Sequence, residues 1–198
     1  MQNNRPMSDL QPDEEFMLQV HNGAVYELAV LFERHHVALF NFFYRMNGDR
    51  STSEDLVQET FYRILKYRQS YRPGSSFRTW MYQIARNVRA DQFNKQRDEV
   101  DLEQAPAPAV APVDTVEGPQ LVGHLKQALM QIPDDKRELL ILSRFQGLKY
   151  EEIARLLNCE VGTVKVRVYR ALQELKEAFQ RRQAGHRPRS RAQDKLGD

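Results

Sequence analysis

Cysteine is nearly missing from this 198-residue chain: Cys159 stands alone, so no intramolecular disulfide can form. At the turn it occupies, a lone cysteine is most simply a small buried hydrophobe. The five histidines, His21, His35, His36, His124 and His186, do not pair with other ligand types at metal-site spacing, so neither a metal nor a cofactor is expected. No run of about 18 apolar residues occurs, which excludes a membrane-spanning helix. The opening stretch MQNNRPMSDLQPDEEF is polar and acidic, unlike a secretory leader, and a cytoplasmic location is the default expectation. A Walker loop, an HExxH pair and a nucleophile with a partner base are all lacking, so no catalytic residue is assigned and an enzyme is not expected. Ser53 and Ser143 fit a helix cap and a helix interior.

Net charge says little, at a formal +2 and a pI near 8.7, but its distribution is informative. Asp98, Glu99, Asp101, Glu103, Asp114 and Glu117 fall mid-chain, whereas Arg181, Arg182, Arg187, Arg189, Arg191 and Lys195 crowd the end. Residues 104–119, QAPAPAVAPVDTVEGP, are too rich in proline and alanine to bury a core and are kept extended. The expected organisation is a flexible segment over 1–20, a helical domain over 21–97 and a Pro/Ala-rich acidic linker over 98–119. A second helical domain over 120–182 and a basic tail over 183–198 follow. With no apolar cluster in the linker, the two domains are expected to be physically independent. The tail is either a nonspecific phosphate-binding arm or a disordered solubilising end.

Apolar spacing makes both domains all-helical. In the first, Leu28, Leu31, Phe32, Leu39, Phe42 and Phe43 share one face of a helix over 25–46, which Asn47-Gly48-Asp49 stops. Ser51 and Glu54 stand at capping-box spacing for a second helix running to about Tyr67. Pro73-Gly74 makes 69–76 a loop. A third helix from Phe77 buries Phe77, Trp80, Met81, Ile84, Ala85 and Val88. Charge is sorted: Asp55, Gln58 and Glu59 share one face, while Arg78, Arg86, Arg89, Lys95 and Arg97 run along and beyond the third helix.

In the second domain, Gly147 ends a helix and Tyr150 to Leu157 gives a short one, with Ile153, Ala154 and Leu157 inward. Asn158 and Cys159 supply a turn. A second helix from Val161 has Val164, Val168, Leu172 and Leu175 inward, with Lys165, Arg167 and Arg170 off that stripe. This is a helix-turn-helix whose second helix fits a DNA major groove. Glu160 is a poor N-cap for it.

The chain resembles the extracytoplasmic function (ECF, group 4) sigma factors of bacterial RNA polymerase. The resemblance rests on SEDLVQETFYRILK (53–66) and SFRTWMYQIARNVRADQFNKQR (76–97), similar to region 2, and on residues 128–176, similar to region 4. It implies that Asp55, Gln58 and Glu59 dock on the clamp helices of the largest catalytic subunit of core polymerase. It implies that loop 69–76 receives an extruded base of the −10 element. Tyr71, Arg78, Arg86, Asn87, Arg89, Asp91, Asn94 and Lys95 would contact that element, asparagines pairing with base edges and arginines holding phosphates. Thr163, Lys165, Val166, Arg167 and Arg170 would read the −35 element. Val166 stands where many relatives carry serine, and a thymine methyl would suit it. An anti-sigma factor, often membrane-bound, is the further partner implied, and it could hold the chain at the inner membrane. A helix-turn-helix regulator that binds DNA without acting as a sigma subunit is the alternative class.

Overall fold

The computed structural model describes residues 11–100 and 117–185, and every regular element among them is helical. Four helices build the first domain: α1 (Asp13–His21), α2 (Leu28–Asn47), α3 (Arg50–Lys66) and α4 (Phe77–Val100). Four more build the second: α5 (Glu117–Gln131), α6 (Asp134–Leu140), α7 (Tyr150–Leu157) and α8 (Val161–Gly185). The all-α expectation of a helical bundle followed by a helix-turn-helix is met.

In the first domain the stripes found in the sequence turn toward one another. Leu31, Leu39, Phe42, Phe43 and Met46 of α2 are buried with Leu56, Phe61 and Ile64 of α3 and Phe77, Met81, Ala85 and Val88 of α4. The Phe42 ring meets Phe43 and Tyr82 edge-on, with centroids 5.2 and 5.4 Å apart, the arrangement aromatic quadrupoles favour.

Three boundaries differ from the sequence reading. The cap of α3 is Asp49, not Ser51: its carboxylate accepts from Thr52 N at 2.7 Å. Gly48 ends α2 in the left-handed region at φ 78°, which leaves Asp49 extended and ideally placed to cap. Second, the stretch expected to be flexible contains α1, because Phe16, Met17 and Val20 are all buried. Polar ties fix it further. Asp13 lies 2.7 Å from both Arg34 Nη1 and His35 Nε2 on α2, and Glu14 accepts from Phe77 N, the first residue of α4, at 3.0 Å. Third, helices run into both margins of the expected linker, since α4 reaches Val100 and α5 starts at Glu117. Pro119 is tolerated there because the first turn of a helix needs no bonded N–H. Residues 101–116 lie outside the described residues, as does the expected basic tail from 186 on, while its first three residues, 183–185, extend α8.

The expected independence of the domains is also corrected: α2 and α4 pack directly on the second domain. Arg137 of α6 is only 8% exposed and donates to Met46 O at the end of α2 (2.7 Å). It also donates to Leu129 O (2.9 Å), Met130 O (2.9 Å) and Ile132 O (3.1 Å) at the end of α5. A buried guanidinium thus answers the unpaired carbonyls and negative dipole ends of two helices from different domains. Gln146 makes the second tie. Its amide donates to Ala38 O (3.1 Å), its side-chain oxygen accepts from Tyr82 OH (2.8 Å), and its backbone carbonyl accepts from Arg78 Nη2 (2.5 Å). A π-helical turn over Ile141–Phe145 delivers Gln146 to this position. The linker's composition could not reveal this, because the contact is made by residues of the domains themselves, polar and apolar.

Replacing Arg137 by Ala leaves four buried carbonyls without this partner and is expected to cost about 3 kcal/mol or more in urea unfolding. Arg137→Lys should recover only part, since one ammonium cannot span the fork. Asp13 supplies a pH-dependent term. Burial works to raise its carboxyl, but hydrogen bonds and charge from His35 and Arg34 outweigh it and hold the group below the usual 3.8. A lowered folded-state pKa means stability that is full above the unfolded value and lost as pH falls through the folded one. Asp13→Asn should therefore destabilise by about 1–3 kcal/mol at pH 7. The gap between variant and parent in denaturant midpoints should close below pH 3.8.

Candidate nucleic-acid and polymerase interface

Helices α7 and α8 join through Asn158, which adopts the left-handed conformation at φ 49°, a region asparagine tolerates better than most residues. The α7 start is fixed by Glu152, whose carboxylate accepts from Lys149 N at 2.8 Å. Ile153, Ala154 and Leu156 of α7 and Val164, Val168 and Ala171 of α8 are all buried where the two helices pack. Leu157, Leu172 and Leu175, expected at the centre of this contact, pack at its margin, as does Cys159.

That packing decides what α8 shows to solvent. Lys165, Arg167 and Arg170 are exposed, Val166 is 49% exposed and Thr163 is half-buried. All five expected −35 positions thus share the outer half of the helix's first turns. Tyr169 joins them at 64% exposure and was missed by the sequence reading. Its signal was available: a large aromatic off the buried stripe, one turn after Val166.

On α3, Asp55 and Gln58 are exposed, whereas Glu59 is engaged. Arg63 Nε donates to Glu59 (2.6 Å) while Arg63 Nη1 donates to Asp91 of α4 (2.5 Å). This bridge ties Asp91, expected at the −10 element, to the α3 face, with its side chain still 53% exposed.

The third surface is α4 with the loop before it. Tyr71 is 2% exposed and therefore does not face solvent as expected. Its hydroxyl donates to Ser75 O at 2.5 Å, and its ring supports Trp80 edge-on at 5.2 Å. Burial pushes its phenol above the ordinary tyrosine value, only partly offset by the Ser75 bond. Beside it lies a cleft of about 270 Å³ between loop residues Arg72, Ser75 and Ser76 and α4 residues Thr79, Trp80 and Gln83. Arg155 and Leu156 of α7 form its far wall. The Thr79 hydroxyl is buried with no hydrogen-bond partner among the described residues. Thr79 and Gln83 were missed, although they stand at i and i+4 in line with Asn87, to which Gln83 donates at 3.4 Å. Asn87, Asn94 and Lys95 are exposed as expected. Arg78, Arg86 and Arg89 instead point into the second domain: Arg86 Nε donates to Glu138 (2.8 Å) and Arg89 makes a two-pronged contact with Asp134 (2.7 and 2.7 Å).

Among the described residues, no His/Cys/Asp/Glu group could hold a metal and no helix is long and apolar enough to cross a membrane. A helical bundle carrying an acidic and a basic face, followed by a helix-turn-helix with a basic outer face, defines a DNA-recognition protein with a protein partner. Residues 31–99 match the sigma-70 region 2 family and residues 124–175 the sigma-70 region 4 family. The chain is 34% identical over 165 residues to the RNA polymerase sigma factor CarQ of Myxococcus xanthus, covering 81% of this chain and 94% of that one. It is 29% identical over 172 residues to the ECF sigma factor SigW of Bacillus subtilis, covering 80% and 92%. Among solved structures it resembles the sigma factor RpoE of Bartonella quintana, crystallised with the anti-sigma factor NepR. The TM-score is 0.64 at 28% identity, over 75% of this chain and 94% of that one. The chain belongs to the ECF sigma factors of the sigma-70 family.

Proposed function

We propose that this ECF sigma factor divides promoter-specific initiation among three of its own surfaces. The outer face of α8 enters the major groove of the −35 element. Lys165 and Arg167 include a base-edge contact, and Arg170 binds phosphate. Val166 and Tyr169 form an apolar step suited to thymine methyl groups. The α4 face, with Asn87, Asn94 and Lys95, takes the −10 strand, and the cleft beside Trp80 takes an extruded base. There the Thr79 hydroxyl and Gln83 amide offer the hydrogen bonds that must offset the few kcal/mol cost of unstacking. Asp55 and Gln58, with Glu59 held by Arg63, dock on a basic surface of core polymerase. Asp91 and Tyr71 leave the contact set and serve as supports. RNA synthesis belongs to the core enzyme, and this chain contributes recognition.

The observation that best supports this reading is the exposed basic and apolar face of α8 beside an intact region 2 domain. A regulator that binds DNA without acting as a sigma subunit would have no use for the α3 and α4 surfaces. An anti-sigma partner is inferred from the resemblance to a sigma factor crystallised with one.

Run-off transcription with purified core polymerase and a two-part promoter tests the whole: initiation must depend on this chain, and its absence on the organism's own promoters defeats the reading. Reversing charge in Asp55→Lys/Glu59→Lys should reduce core binding in pull-downs while leaving the circular dichroism spectrum unchanged. The apolar step has its own measurement. Deoxyuridine in place of a contacted thymine removes one methyl, worth about 0.8 kcal/mol or roughly fourfold in affinity. That penalty should be present in the parent and vanish in Val166→Ala or Tyr169→Ala. A uniform response of all three to deoxyuridine would remove thymine reading.

A further inference from the structure

We propose that the second domain is an intramolecular competitor for the −10 strand: in this compact arrangement, Asp134 and Glu138 hold the Arg89 and Arg86 guanidinium groups that otherwise grip DNA phosphates. The proposal rests on the −10 assignment above.

Asp134 and Glu138 stand one turn apart on α6, facing Arg86 and Arg89, one turn apart on α4. The Arg89 Nη1 and Nη2 each reach a separate Asp134 oxygen at 2.7 Å, while its Nε donates to Asn47 Oδ1 at 2.8 Å. This fork is the geometry by which arginine also binds a phosphate, so one guanidinium cannot serve both. Arg86 divides its donors between Glu138 Oε1 (2.8 Å) and Leu156 O (3.1 Å). Arg78 is spent on Gln146 O, and the Ser76 hydroxyl faces Glu152 at 3.4 Å. The cleft for an extruded base is walled by Arg155 and Leu156 of the same domain. Carboxylates and carbonyls of α6 and α7 therefore stand along α4 where phosphate oxygens are expected.

The cover is selective. Lys165, Val166, Arg167 and Arg170 remain exposed, as do Asp55 and Gln58. The closed chain leaves the −35 and core faces free. Of the −10 surface it leaves Asn87, Asn94 and Lys95 exposed, while Arg86 and Arg89, the two phosphate grips, are taken. Arg86 and Glu138 are both largely covered, at 26% and 15% exposure, so this pair is shielded from salt better than a surface pair, whereas Asp134 is 55% exposed and its pair with Arg89 is screened more readily. Binding the strand then exchanges one set of arginine pairs for another. The salt dependence of the closed chain is correspondingly shallower than that of an opened one.

The test compares the full-length parent with Asp134→Lys/Glu138→Gln and with the shape-conserving Asp134→Asn/Glu138→Gln, each checked by thermal melting. Labels at Tyr62 and Gln173, in a Cys159→Ser background, report the distance between domains. A single-stranded −10 oligonucleotide, titrated without core polymerase, reports access to α4. The expected result is a longer label distance in both variants, at least tenfold tighter oligonucleotide binding in the charge-reversed one and a steeper salt dependence. A label distance unchanged from the parent overturns the competitor, and so does separation without a gain in binding. The −10 assignment is read separately: Arg86→Ala/Arg89→Ala, assembled with core polymerase, must lose promoter opening. If it does not, that assignment fails whatever the domain distance shows.

Discussion

The Arg137 guanidinium is the constraint on which the arrangement of this molecule depends. Taking an arginine out of water is costly, and only a full set of acceptors makes it tolerable. Here the acceptors are the last carbonyls of α5 and Met46 O at the end of α2. Each helix end would otherwise leave carbonyls unanswered in a poorly hydrated seam. Satisfying Arg137 therefore requires both domains to be present, and it fixes the start of α6 against the end of α2. Asp134 and Glu138 then fall opposite α4, and Gln146 reaches Ala38 and Tyr82 one π turn later. Polar groups fix the register of the seam, alongside apolar residues of both domains that join one buried cluster.

The helix-turn-helix stands apart from this seam. Its geometry is set inside the second domain by Ile153, Ala154 and Leu156 against Val164, Val168 and Ala171. The reading face of α8 is therefore the same whether the domains are together or apart. The surface of α4 has no such autonomy, since its arginines exchange partners when the seam opens. The two DNA-reading elements differ in kind: one is rigid and always displayed, the other conditional.

Most of the fold was legible because apolar spacing is a local property. The stripes on α2, α4, α7 and α8 could be counted along the chain, and Asn158 announced the turn. The exposed outer face of α8 was legible for the same reason, being what remains once the buried stripe is removed. What escaped was non-local. Tyr71 reads as an available aromatic until Ser75 and Trp80 are seen to enclose it. The tie of Asp91 to Arg63, 28 residues earlier, has no local signal. Arg86 and Arg89 read as phosphate contacts, and nothing nearby in sequence signals that Glu138 and Asp134 hold them. The α1 helix was missed because nine residues of mixed charge give a weak periodic signal, and its burial is decided by α2 and α4.

The α4 helix begins with a cap it does not own. Phe77 N is answered by Glu14 from α1, more than sixty residues upstream, and the loop that shapes the base cleft runs directly into that junction. The placement of the −10 surface is thereby tied to the first turn of the first helix. A chain shortened past Glu14, by an internal start codon or by proteolysis, would keep every residue of the recognition motifs and a complete helix-turn-helix. It would lose the carboxylate that answers Phe77 N, so an intact set of motifs would sit on a helix whose start is no longer anchored.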